Sequence, residues 1–135
     1  MPLAIDIRPR TKPNTPPATT VFLAGSLDTS TTPQLEQQLK PILDGPTLDI
    51  VFDLEKLEFI SSAGLRAFAV ARKRLHERGG EASFVNLQPQ IQKAFEIVAA
   101  LPGMRVFRDV DELDGYLARR QKDIVEKNKG KAGPG

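Results

Sequence analysis

The chain has no cysteine, no tryptophan and a single histidine among its 135 residues. Without thiols there is no disulfide and no thiolate metal site, and one histidine cannot form a histidine cluster. A reducing, cytoplasmic setting is the expected one. Residues 1–7 show no basic segment followed by a long apolar run, and no later stretch approaches the ~20 apolar residues needed to span a bilayer, so no membrane association is expected. Aromatic residues make up only 6% of the chain, which leaves little for base stacking. The net charge of +2 sits at one end. Residues 1–120 hold 15 Lys+Arg and 15 Asp+Glu, and Lys122, Lys127, Lys129 and Lys131 against Asp123 and Glu126 supply the surplus. A balanced domain with a short basic end lacks the dense basic face of a nucleic-acid binder.

What is present fits one compact domain, since an apolar fraction of 40% suffices for a single core at this length. Leu3–Arg8 alternates as a short strand, and Thr19–Gly25 is a second run rich in β-branched and aromatic residues. The polar, proline-rich stretch from Pro9 to Ala18 reads as the connection between them. Leu35, Leu39, Ile42 and Leu43 follow at helical spacing until Gly45-Pro46, after possible caps between Ser26 and Pro33. Leu48–Asp53 is nearly continuously apolar, as in a strand buried on both faces at the centre of a sheet. A helix begins at Ser61-Ser62-Ala63-Gly64 and stops at Gly79-Gly80, with Leu65, Phe68, Ala69 and Leu75 on the stripe facing the sheet. Ala67, Val70 and Ala71 fall on its flank.

Ala82–Leu87 reads as a strand, Pro89–Ala100 as a helix, Met104–Phe107 as a last strand and Asp109 to about Gln121 as a closing helix. Strands alternating with helices predict an α/β fold: a mostly parallel central sheet of about five strands, an antiparallel strand at one edge, and four helices. The domain is expected over residues 1–120, with 121–135 a basic flexible tail.

Few residues could perform catalysis. His76 lies among charged neighbours far from the serine pair, Ser61-Ser62 lacks the G-x-S-x-G pattern of a nucleophile elbow, and Gly79-Gly80 opens no phosphate loop. No enzymatic activity and no cofactor are expected. Asp53, at the end of a buried strand, allows a receiver-like phospho-aspartate domain, but Asp28 is the only evident second carboxylate for a metal-dependent site. The serine pair carries more. A phosphate on Ser62 would add about −1.5 to −2 charge at a helix start, where backbone amides and the dipole tolerate it. Gly64 would leave the approach open, and Asp28 could set a like charge beside the phosphate. Serine as a plain helix cap fits the same residues.

Two motifs then carry a family resemblance. Gly25-Ser26-Leu27-Asp28 with Thr31 and Leu35, and Leu48–Leu54 followed by Phe59-Ile60-Ser61-Ser62-Ala63-Gly64-Leu65-Arg66, resemble the STAS family, the domain of anti-sigma-factor antagonists and of sulfate-transporter tails. The resemblance runs from about Leu3 to Leu117. It implies phosphorylation at Ser62, two residues before Gly64-Leu65, with Ser61 the second choice because it stands where many members have aspartate. It also implies a pocket aspartate at Asp28 and a helix opening at Gly64-Leu65. The partner surface is expected to comprise Asp28, Ser61, Ala63, Gly64, Leu65, Ala67, Val70 and Ala71. The implied partners are an anti-sigma factor with serine kinase activity, bound in the unphosphorylated state, and a PP2C-type phosphatase that restores binding. The domain is expected to be a monomer or weak dimer. A permanent scaffold or ligand-sensing STAS module is the alternative, and the transporter-tail form is disfavoured by the lack of a membrane segment.

Overall fold

The computed structural model describes residues 2–97 and 105–131, and their side chains other than those of residues 97 and 124–131. The elements run β1 (Leu3–Arg10), β2 (Ala18–Leu27), α1 (Thr32–Asp44), β3 (Ile50–Ile60), α2 (Ser62–Glu77), β4 (Ala82–Val85), α3 (Pro89–Ile97), β5 (Arg105–Phe107) and α4 (Val110–Lys131). The sheet has the order β1-β2-β3-β4-β5. β1 pairs with β2 antiparallel, and every other pair is parallel. The proline-rich stretch closes the one hairpin, and the apolar run expected at the centre is the middle strand. The ends of the expected third helix and last strand, Val98–Ala100 and Met104, lie outside the described residues.

Side chains on one face of the sheet meet α1, α2 and α3 in the main core, where Leu35, Leu39, Phe68, Leu75, Ile91 and Phe95 pack on Leu23, Phe52 and Phe84. Phe52 and Phe84 are register partners on β3 and β4 and stack with ring centroids 5.0 Å apart. Phe68 of α2 sits 4.9 Å and 5.0 Å from them, so one helix residue docks on the aromatic pair. The other face is covered only in part: Leu113 and Leu117 of α4 close over Ala18, Val51 and Val85. An ion-pair network fastens α4 at the N-terminal ends of β3 and β4. Buried Asp49 accepts from the Glu81 amide (2.9 Å) and from Arg120 (3.1 Å), and the Tyr116 hydroxyl donates to Glu81 (2.8 Å). Burial pushes the Asp49 carboxyl above the ordinary aspartate value, with the Arg120 charge and the Glu81 amide opposing it.

β3 is about twice as long as its sequence suggests. After Asp53 the inward residues are Leu54, Leu57 and Ile60, a spacing of three that breaks the two-residue alternation of a regular strand. Two register shifts against β2, between Phe22 and Ala24 and between Gly25 and Ser26, resolve the conflict. Each places an extra β3 residue opposite β2, so the alternation resets and the next leucine or isoleucine turns inward again. The second shift also turns Phe59 outward, where it is 51% exposed.

α4 likewise runs to Lys131, ten residues beyond its expected end at Gln121, through part of the stretch read as a flexible tail. No glycine or proline interrupts residues 116–129, so nothing in the backbone chemistry stops the helix there.

Replacing Phe52 with alanine empties the centre of the aromatic cluster. We expect Phe52→Ala to lower unfolding free energy by about 3–5 kcal/mol, read from urea denaturation.

Candidate functional site

β2 and β3 finish together. Leu27 is opposite Ile60, and the next amide, that of Ser61, donates to the Leu27 carbonyl at 2.8 Å. The loop that begins at Asp28 and the start of α2 are thereby held side by side, as expected from the sequence. Ser61 is extended (φ −93°, ψ 170°), and its hydroxyl oxygen accepts from the Gly64 amide at 3.2 Å. The Leu65 amide donates to the Ser61 carbonyl at 3.0 Å. Ser61 is therefore the N-cap of α2, and the two roles open for the serine pair separate. Ser62 is the first helical residue, it is exposed, and its hydroxyl makes no hydrogen bond among the described residues. The amides of Ser62 and Ala63 have no acceptor within the helix.

Several expected partner contacts turn out to be interior. Gly64 is buried, and a Cβ on it would lie 2.8 Å from Leu27 Cγ and 2.9 Å from Ile60 Cγ1. The glycine therefore lets the helix start press onto the ends of β2 and β3; it does not open a route to the serine. Leu65 is a core residue. Ala67 and Ala71, expected on an outward flank, are 7% and 1% exposed, because α1 packs along that side of α2. Ala69, expected to face the sheet, is half-buried in their place. Val70 alone of the three flank residues is outward, at 55% exposure. Ser62, Arg66 and Val70 recur every four residues on one exposed stripe. Phe59 completes the apolar surface near the serines. Its only trace in the sequence is the three-residue spacing Leu54–Leu57–Ile60, which leaves it out of the buried row.

Asp28 is held by its own loop. Its Oδ1 accepts from the Ser30 hydroxyl (2.7 Å), the Ser30 amide (2.9 Å) and the Thr31 amide (3.0 Å). The Ser30 hydroxyl, followed by the Thr31 amide, keeps the carboxyl below the usual aspartate range, so it is ionised at neutral pH with its charge directed into the start of α1. The backbone of Asp28 is beside the serine pair, whereas its carboxylate is engaged elsewhere.

The other candidates lie apart. Asp53 is opposite Phe22 and seven residues before Ile60, so roughly 20 Å of strand separates it from Asp28. Its carboxylate accepts from Asn86 Nδ2 (3.3 Å) and from the Glu55 amide (3.1 Å), and the carboxylate convergence a receiver site needs is not formed. Among the described residues no group of three or more His, Cys, Asp or Glu could hold a metal ion. His76 is exposed, fourteen residues along α2 from Ser62, or about 21 Å. The uncovered part of the sheet forms an open groove of about 380 Å³, lined by Asp6, Arg8, Phe22, Asp53, Glu55 and Lys56 among others. It is formed by β1, β2 and β3 and contains none of the serine-site residues. No helix among the described residues is long and apolar enough to cross a membrane.

Three outcomes test this geometry. Ser61→Ala should cost about 1 kcal/mol in denaturant melts through loss of the cap. For Gly64→Ala, overpacking of about 1–3 kcal/mol should outweigh the ~1 kcal/mol helix-propensity gain, because the contacts are branched carbons fixed in the core. In a carbon-13 titration, the Asp28 carboxyl should protonate below the ordinary aspartate value, and Ser30→Ala should move it back up. The stabilisation from that carboxylate is fully present above the ordinary aspartate pKa and fades as pH falls through the lowered one.

Comparison with known proteins agrees with this architecture. The family model described as STAS domain matches residues 8–113. The chain is 36% identical to BtrV of Bordetella bronchiseptica over 75 residues, which cover 56% of this chain and 65% of that protein, a little under two thirds of its length. It is 33% identical to the anti-sigma-B factor antagonist of Staphylococcus aureus over 86 residues, 64% of this chain and 80% of that one. The solved structure of the anti-sigma factor antagonist SpoIIAA in its unphosphorylated form shares the fold, with a TM-score of 0.64 at 19% identity over 82% of this chain and 96% of that one. A domain with β2 and β3 ending together at a capped serine helix, matched by the family model over most of its length, belongs to the STAS domain family and is related to bacterial anti-sigma factor antagonists.

Proposed function

We propose that this chain is a bacterial anti-sigma factor antagonist that works as a phosphorylation-controlled protein-binding switch. Unphosphorylated, it binds and sequesters an anti-sigma factor that is also a serine kinase. That kinase transfers the γ-phosphoryl group of ATP to the Ser62 hydroxyl and so ends the complex, and a PP2C-type phosphatase restores it. The domain itself acts as a cytoplasmic binding module and catalyses no step. One observation carries the reading: the cap of α2 is filled by Ser61, which leaves Ser62 exposed and its hydroxyl free at the first position of the helix. The Ser61 oxygen is half-buried and already engaged by the Gly64 amide, so it is less accessible to a kinase than the exposed Ser62 hydroxyl. Ser62 can take a phosphate with the cap intact.

Phe59 and Val70, both more than half exposed, offer the apolar area for a partner on either side of Ser62 and Arg66. A doubly charged phosphate in the middle of that surface must be desolvated on binding or left facing a surface shaped for a hydroxyl, a penalty of several kcal/mol. The relationship to an antagonist of an anti-sigma-B factor supports a partner of this class.

Binding to the cognate anti-sigma factor should weaken roughly 100-fold in Ser62→Asp and stay within about threefold of wild type in Ser62→Ala, by titration calorimetry. Incubation with that kinase and ATP should place phosphate on Ser62 by mass spectrometry. Equal binding of the two variants, or a chain left unmodified, would show a permanent scaffold instead.

A further inference from the structure

Arg66 is the cation nearest along α2 to the serine pair. It is the fifth residue of the helix, one turn from Ser62, and the first turn holds no acidic residue to pair with it. Further along, Arg74 pairs with Asp44 and the C-cap residue Arg78 donates to the carbonyls of Leu43 and Gly45, whereas Arg72, like Arg66, has no ion pair among the described residues but lies far from the serine pair. Arg66 is exposed and forms no ion pair among the described residues. An unpaired cation one helical turn from Ser62 is available to an anion placed on that serine.

We propose that Arg66 is the internal receptor for the phosphate on Ser62, so that phosphorylation both adds negative charge and withdraws the one cation at the centre of the partner surface. The inference rests on Ser62 being the phosphorylated residue. The two residues are four apart on α2, with Cβ atoms about 5–6 Å apart, and the anion stands on the N-terminal side, which is the favourable order for a helical ion pair. A guanidinium can donate in parallel to two phosphate oxygens. The amides of Ser62 and Ala63 point to the same end of the helix, while the Gly64 amide is held by Ser61. Of the neighbouring carboxylates, Asp28 on the β2–α1 loop is already bound by Ser30 and Thr31, and Glu58, the extra β3 residue at the second register shift, is exposed to solvent. Arg66 is therefore the cation the phosphate meets first. Without phosphate, Arg66 and Val70 stand on one stripe, free to meet a partner surface that combines an apolar patch with a carboxylate.

The test needs neither kinase nor partner. Phosphoserine installed at position 62 by genetic-code expansion reports its second ionisation by phosphorus-31 NMR, ordinarily near pH 6. In the otherwise wild-type chain the midpoint should lie at least about half a pH unit below that of Arg66→Gln, a threefold change in the acid dissociation constant. Arg72→Gln, ten residues or more than two turns from Ser62, should leave it unmoved. Coincident midpoints for the wild-type and Arg66→Gln chains, or an equal shift in Arg72→Gln, would overturn the clamp and leave the switch standing. Equal partner binding by Ser62→Asp and Ser62→Ala would overturn the switch and leave the clamp measurable.

Discussion

The parallel pairing of β2 with β3, kept in phase by two register shifts, is the constraint on which the rest of the molecule depends. A regular strand alternates sides at every residue, so a row of inward residues spaced by three cannot stay in the core without correction. The two shifts supply the correction. They carry β3 to Ile60, bring its end level with that of β2, and let the Ser61 amide reach the Leu27 carbonyl. Were β3 to end at Asp53, the helix start would lie some 20 Å from the Asp28 loop and there would be no shared edge for a site.

Within that edge, structural and recognition roles fall to adjacent residues. Ser61 caps, Gly64 admits Leu27 and Ile60, and Asp28 ties the start of α1; these residues hold the backbone. Ser62, Arg66, Val70 and Phe59 reach outward. This division lets a charged group be added at one position without disturbing the fold, because the residue that would carry it contributes nothing to the cap. The two faces of the sheet show a related asymmetry. The face under α1, α2 and α3 is filled by an aromatic cluster, whereas α4 covers part of the other and is fastened at the starts of β3 and β4 by Asp49, Arg120, Glu81 and Tyr116.

Much of this was legible in the residues. Alternation in Leu3–Arg8, the apolar run before Asp53, and glycine and proline at the element ends predict the strand and helix order, the antiparallel edge and the central strand, all of which the structure contains. The serine pair at a helix start and its nearness to Asp28 were also readable, since both follow from local signals and a parallel crossover. Other features had no local signal. The latter half of β3 lacks strand alternation and is not recognisable as a strand until β2 lies beside it. The burial of Ala67 and Ala71 depends on where α1 packs, and the true role of Gly64 on two side chains from other strands.

The order of elements, the chemistry available at the serine pair and the absence of thiol or histidine-cluster chemistry were determined by the sequence alone, because each depends on residue type and near-neighbour spacing. Tertiary structure decided which serine caps and which is free, which flank of α2 is surface, and that Phe59 faces outward. Those outcomes depend on hydrogen bonds and packing between segments distant along the chain: the Leu27 carbonyl meeting Ser61, the Leu27 side chain meeting Gly64, and α1 lying against α2. Spacing within a segment carries no record of what another segment will press against it.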